Sequence, residues 1–446
     1  MTAPEVSVVV PYYRAQADLD RLLAALAAQD HPASRLQVVI ADDGSPEPPA
    51  LPAELPFASA VVRHEDRGFR ASAARALGVQ AAEGSVLAFL DGDMLPEPGY
   101  LTAACAAPAA SGLAVVVGRR RHLDPRLLEA GGWRPGESVP EWARLEEPAW
   151  LAQAYADSED LRRADSTSYR FIISAVLTVA REVYEDAGGF DPSFVGYGGE
   201  DWELAHRLWR AGGAFAYEPR AVAWQAGEDF GGREDPAEAR RVKNREALVL
   251  APRIAAPTAR GLSLGLGGED RPARAAVTLG AAGDAATVLG ADALLQAFPS
   301  ARLLVRGALG DDAAACLTDE RVALEAPAGE PDAAGPSDPR VALRSAPDWG
   351  VDVAAPVRPA EPGARPVPKD ASDLLLRLER DGVERVEVTD EAGDVLATLT
   401  SSRARWREHR EGAVPPARTL RVRAADLGWR AVEAEPDLEA WWGGWG

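Results

Sequence analysis

The chain has 446 residues and a mass of 47.2 kDa, enough for two to three domains at roughly 100–200 residues each. Hydrophobic residues make up 47% and charged residues 26%, which excludes wholesale disorder. Lys and Arg total 48 against 69 for Asp and Glu, and the net charge of −21 repels the phosphates of a nucleic-acid partner.

Two cysteines, Cys105 and Cys316, build neither a disulfide scaffold nor a four-cysteine metal site. The first ten residues show no basic segment ahead of an apolar run, and no uncharged apolar run reaches ~18 residues. A cytoplasmic protein without signal peptide or transmembrane segment is the expectation.

In chain order, residues 6–10 form a β-branched run closed by Pro11, which predicts a buried strand. Residues 17–29 place Leu19, Leu22, Leu23 and Leu26 at helical spacing. Residues 37–41 predict a second strand, ended by Asp42-Asp43-Gly44-Ser45. An Ala-rich helix over 72–83 stops at Gly84, and residues 86–90 predict a third buried strand. Alternating strands and helices with short connections argue for a parallel sheet covered by helices, with ligands at the carboxyl ends of the strands. Both acidic clusters, Asp42-Asp43 and Asp91-Gly92-Asp93, fall at such ends.

The composition shifts past Pro257, so the expected domains are 1–256 and 257–446, the second a smaller α/β accessory domain. Residues 325–370, crowded with Pro, Ala, Gly and Asp, read as a loop-rich stretch. Gln29, Pro32, Arg35, Leu36 and Val38 recur as Gln296, Pro299, Arg302, Leu303 and Val305 at one constant offset. A degenerate repeat of the first domain is one reading of that match and coincidence is the other. The closing aromatic residues 440–446 read either as a segment folding back on the protein or as an incidental tail.

Asp91-Gly92-Asp93 is the sharpest local feature. Two carboxylates one residue apart after a buried strand can hold Mg²⁺ or Mn²⁺ against a diphosphate. Alone, the same pattern also fits a solvated acidic turn.

Three further segments match in order. Residues 6–13 (Val-Ser-Val-Val-Val-Pro-Tyr-Tyr), 38–45 (Val-Val-Ile-Ala-Asp-Asp-Gly-Ser) and 89–94 (Phe-Leu-Asp-Gly-Asp-Met) resemble the nucleotide-binding half of family 2 glycosyltransferases. Residues 66–78 are similar to that family's helix between the second and third of these. Gly189-Phe-Asp-Pro192, followed by Gly196-Tyr-Gly-Gly-Glu-Asp-Trp-Glu203, resembles the acceptor half of the chondroitin-polymerase and galactosyltransferase type. The resemblance spans residues 5–250.

It implies a GT-A fold, a Rossmann-like and mostly parallel sheet, and an inverting, metal-assisted transfer of a sugar from a nucleotide diphosphate, UDP being the favoured one. Pro11, Tyr13, Asp43, Arg75, Asp91 and Gly92 would bind the nucleotide sugar. Asp43 would accept from the uracil N–H and Tyr13 would stack on the base. Asp93 and Asp91 would hold Mn²⁺ or Mg²⁺. Asp201 would be the catalytic base, with Glu200 beside it, and Trp202 either a sugar platform or a core residue. Arg75 either faces the nucleotide or lies on the surface. Where the family supplies a metal-binding histidine, after the strand over 215–224, this chain has Gln225, whose carbonyl oxygen would be the third metal ligand, weaker than imidazole. The acceptor is a saccharide, a lipid-linked or a small molecule, shaped in part by residues 119–170. Two rivals stand: a non-catalytic binding or scaffold protein on a degenerate GT-A domain, which Gln225 favours, and a nucleotidyltransferase, which the glycine-free Pro11-Tyr12-Tyr13-Arg14 disfavours.

Overall fold

The computed structural model describes residues 5–227 except 130, 132 and 197, then 236–254, 275–298, 301–325, 348–359 except 355, 371–408 and 417–432, with 259 and 436. The chain forms two compact units, Met1–Arg253 and Ile254–Gly446.

The first unit runs β1 (Val6–Tyr12), α1 (Gln16–Ala27), β2 (Leu36–Asp42), β3 (Ala58–Arg63), α2 (Ala71–Gln80), β4 (Val86–Leu90), β5 (Met94–Pro96) and α3 (Tyr100–Ala110). It continues with β6 (Ala114–Leu123), α4 (Arg126–Glu129), α5 (Ala149–Asp157), β7 (Val176–Ala180), α6 (Arg181–Asp186), α7 (Glu200–Arg210), β8 (Ala214–Ala226) and α8 (Pro236–Leu250). The strands join one sheet in the order β3-β2-β1-β4-β7-β6-β8-β5. All but β7 and β5 run in one direction.

Covered on both faces, β1 and β4 are buried almost throughout, which is why they read as continuous apolar runs. Helix α1 buries Leu19, Leu22, Leu23 and Leu26. Helix α2 lies so near the sheet that a Cβ on Gly78 would meet Val9 Cγ1 at 2.5 Å. That close approach fixes where α2 delivers Arg75. Among the described residues, no helix is long and apolar enough to cross a membrane.

The second unit holds β9 (Ala275–Gly280), β10 (Arg302–Arg306), β11 (Val322–Glu325), β12 (Trp349–Val353), β13 (Val357–Pro359), β14 (Arg385–Thr389), β15 (Val395–Ser401), β16 (Thr419–Arg423) and β17 (Trp429–Ala431). Its sheet has the order β11-β10-β9-β12-β15-β14-β16, with only β15 reversed. Taken in sequence order, this repeats β3-β2-β1-β4-β7-β6-β8, including the position of the one reversed strand. A separate core lies around it, with Val277, Leu279, Leu303, Val305, Trp349 and Val351 buried.

Within residues 325–370, the described segment 348–359 holds β12, which lies between β9 and β15 in the sheet. Trp349, Val351 and Val353 are buried and alternate with Gly350 and Asp352, a strand period lost among the surrounding Pro, Ala and Asp. Much of the remaining stretch lies outside the described residues, as do 440–446, Tyr197, Pro299 and His409.

Candidate active site

The carboxyl ends of β1, β2 and β4 open onto a cavity of about 480 Å³, whose far side is formed by the start of α7 and by α8. Every residue singled out from the sequence as a site residue lines it except Gln225, which reaches it through Asp93.

At the end of β2, Asp42 and Asp43 take different roles. Asp42 is fully buried; its Oδ1 accepts from the Ser45 N–H (2.9 Å), and Arg63 Nε lies 3.3 Å from its Oδ2. Asp43 faces the cavity. His64 Nε2 sits 2.6 Å from its Oδ1, and the Arg70 N–H donates to its Oδ2 at 2.7 Å. Two neighbours thus fix the plane of this carboxylate while leaving lone pairs for a ligand. Tyr13 is largely exposed beside it, its hydroxyl donating to Asp66 Oδ2 (3.2 Å).

At the end of β4, Asp91 and Asp93 flank Gly92, where a Cβ would come within 3.4 Å of the Pro11 carbonyl oxygen. Burial, and then the charge of Asp91, pushes the Asp93 carboxyl up to about 6. Two carboxylates so placed gain from a divalent cation between them, since it offsets both their repulsion and their desolvation. Two carboxylates completed by substrate phosphates are an ordinary Mg²⁺ donor set, so the residues present fit such an ion. Among the described residues, no group of three or more His, Cys, Asp or Glu gathers to hold a metal. Gln225 takes the remaining side: its Nε2 donates to Asp93 Oδ2 at 2.8 Å, and its Oε1 lies 3.5 Å from Arg120 Nη1. The register sets this contact, because Gln225 pairs with Met94, the residue after Asp93.

Arg75 is buried and lies between the two halves of the site. Its Nη2 donates to Asp91 Oδ1 (2.6 Å) and its Nη1 to Glu200 Oε1 (3.3 Å). Burial works against its charge, but Asp91, Asp201 and Glu200 outweigh that and raise its pKa. The guanidinium rests 5.3 Å from the Phe190 ring centroid. Gly189-Phe-Asp-Pro192 therefore builds the floor under Arg75, tied to α2 by the Ser72 hydroxyl donating to the Asp191 carbonyl (2.7 Å). Of the two readings of Arg75, the surface one is excluded.

Helix α7 starts at Glu200 on three left-handed glycines, Gly196, Gly198 and Gly199 (φ 90°, 94° and 92°). Residues with a Cβ rarely adopt that conformation, so the loop is specific to glycine. Asp201 is held from β7's side: Ser174 Oγ donates to Oδ1 (2.5 Å) and the Ser174 N–H to Oδ2 (3.2 Å). Trp202 is half-buried edge-on to Tyr169 (6.0 Å), with Lys243 Nζ 5.7 Å from its ring centroid. Lys243 in turn pairs with Glu246 on α8 (2.8 Å).

Burial and the adjacent Asp201 charge lift the Glu200 carboxyl well above the usual range, Arg75 opposing them. The folded protein then keeps a proton on Glu200 at pH values where the unfolded chain has lost it. Stability falls as pH rises through that interval. Glu200→Gln removes the slope, so its Tm should exceed that of the parent protein by a margin that grows from about pH 5 to about pH 8. Parallel Tm curves for the two proteins would mean that Glu200 ionises as freely as in the unfolded chain.

His64, Ser174, Arg120 and Lys243 were not among the sequence-derived candidates. A signal existed for His64 alone. Parallel pairing sets Asp42 opposite Arg63, so the next residues, Asp43 and His64, emerge side by side.

Residues 7–142 match the glycosyl transferase family 2 profile, and residues 164–222 match the N-terminal domain of galactosyltransferase. Both matches fall within the first unit. Among known proteins, the chain is 28% identical over 258 residues to a hyaluronan synthase of Pasteurella multocida, covering 54% of this chain and 26% of that protein. It is 27% identical over 266 residues to a chondroitin synthase of Escherichia coli, covering 56% and 38%. To a validoxylamine A glucosyltransferase of Streptomyces hygroscopicus subsp. limoneus it is 32% identical over 228 residues, covering 46% and 48%. The chain spans less than half the length of each of these relatives.

Proposed function

We propose that the first unit is an inverting glycosyltransferase that moves a sugar from a UDP-sugar to an acceptor hydroxyl. One observation carries this reading: Asp201, locked by two Ser174 bonds, faces the same cavity as Asp91 and Asp93, with Arg75 between them. Asp43 selects the base. Its fixed carboxylate needs an N–H from the ligand, which uracil and thymine offer between two carbonyls, whereas neutral cytosine and adenine offer a lone pair there. Tyr13 supplies a ring for stacking at the open side.

Asp91 and Asp93 would hold Mn²⁺ or Mg²⁺, which when bound offsets charge on the diphosphate. Arg75 adds a permanent positive charge to the same corner. Asp201 accepts the proton of the acceptor hydroxyl as that oxygen bonds to the anomeric carbon. The bond from carbon to diphosphate breaks on the opposite face, its electron pair leaving with the nucleotide, and the anomeric centre inverts. Trp202 is the proposed platform for the acceptor, with Trp150 and Lys243 nearby on the same wall.

A thermal-shift screen with Mn²⁺ and UDP-, GDP- and dTDP-sugars tests the donor. Stabilisation by the uridine compound is expected, and the anomeric configuration of the product, read by NMR, tests inversion. Gln225 gives a separate test. As placed, its amide nitrogen donates to Asp93 and its oxygen faces Arg120, whereas an imidazole at the same position would present a ring-nitrogen lone pair. Gln225→His should tighten the apparent Mn²⁺ affinity on the order of tenfold, read from the Mn²⁺ dependence of Tm. Unchanged dependence would remove position 225 from the metal shell.

A further inference from the structure

We infer that the second unit is a retired copy of the first, and that the whole chain therefore has one nucleotide-sugar site. The inference rests on the reading of the first unit as a UDP-sugar site. Its own support is the register of the second sheet.

The two sheets share strand order and direction over seven strands. The match extends to spacing. Three residues, Asp91-Gly92-Asp93, separate β4 from β5, and three residues, 354–356, separate β12 from β13. The short strand that follows pairs antiparallel with the chain's return in each unit: β5 with the last part of β8, β13 with β17. In the second unit a 3₁₀ turn, Ala424–Leu427, divides that return into β16 and β17. In the first, β8 shifts register at the corresponding place, opposite Gly118 and Arg119.

This correspondence assigns a counterpart to each donor-site side chain by position. Asp91 and Asp93 correspond to Ala354 and Pro356. Gln225 pairs with the first residue of β5; the partner of Val357, the first residue of β13, is Ala431. Carried across the paired strands from Ala354, Asp43 corresponds to Ala308. Four polar side chains are thus replaced by alanine and proline. No carboxylate remains at these positions to hold a cation or read a base. Pro356 is also buried, with Gly290 of the helix Asp284–Ala297 so close that a Cβ there would stand 2.9 Å from the proline Cβ. Packing has taken over the place where the first unit keeps its second carboxylate. One chain then performs one kind of transfer.

Calorimetric titration of the full chain with UDP and Mn²⁺ tests this directly. One UDP per chain is expected, falling to none in Asp43→Ala/Asp93→Ala. Two UDP per chain in the parent would overturn the inference while leaving the first site standing, whereas one UDP surviving in a double variant that keeps the parent's circular dichroism would place the site elsewhere and overturn both readings. No binding by the parent chain would instead sink the donor reading, and the inference with it. The parent stoichiometry decides the matter even if the double variant does not fold.

Discussion

Asp201→Asn is expected to lower kcat by ~10²–10⁴-fold, the usual contribution of a positioned general base. Asparagine keeps the size of the side chain, and its amide oxygen can accept from the Ser174 N–H while its NH₂ donates to the Ser174 hydroxyl oxygen, so the local fold has little reason to change. What the amide lacks is a basic oxygen for the acceptor proton. The donor corner is untouched, because Asp43, Asp91 and Asp93 sit on other strand ends. The donor KM and the Mn²⁺ dependence should therefore stay within about twofold while turnover collapses, the signature of an interaction made only in the transition state. Transfer within about tenfold of the parent would move the base elsewhere. A parallel rise in donor KM would show that Asp201 serves binding instead.

How much of this site could be read from the sequence depended on distance along the chain. Asp91 and Asp93 sit one residue apart after a buried strand, and Glu200 and Asp201 follow a glycine loop, so each pair carries its own local pattern. The groups that orient these acids are remote: Ser174 lies 27 positions before Asp201, and Arg120 lies 105 before Gln225. No periodicity joins such partners, and only the sheet register brings them together. The same holds for the second unit. Five identities at one offset hinted at a repeat, whereas the shared strand order and direction are visible only in the sheets. Strand β12 escaped because alternation over five residues is a weak signal beside a run of prolines and alanines. Strands β1 and β4, buried on both faces, announced themselves as unbroken apolar runs.

Arg75→Met should strongly destabilise the protein. The side chain is 4% exposed and is bonded to Asp91 and Glu200, with the Asp201 charge also acting on it. Methionine retains much of the bulk above Phe190 but none of the charge. Removing one partner of a buried ionic cluster costs about 3–5 kcal/mol, because the carboxylates left behind keep their desolvation and lose their compensation. Protonation is their remaining relief, and Glu200, already raised by burial and Asp201, is the group placed to take a proton. The folded variant would then hold protons that its unfolded chain releases, so its stability must fall as pH rises. The deficit should accordingly be larger at about pH 8 than at about pH 5 in urea unfolding. Donor binding should fail in the same variant, since Asp91 loses the partner that holds its Oδ1 at 2.6 Å. Equal stability of the two proteins at both pH values would mean that solvent, not Arg75, neutralises this corner. A deficit that did not change with pH would keep Arg75 as a packing element and remove it from the electrostatics of the site.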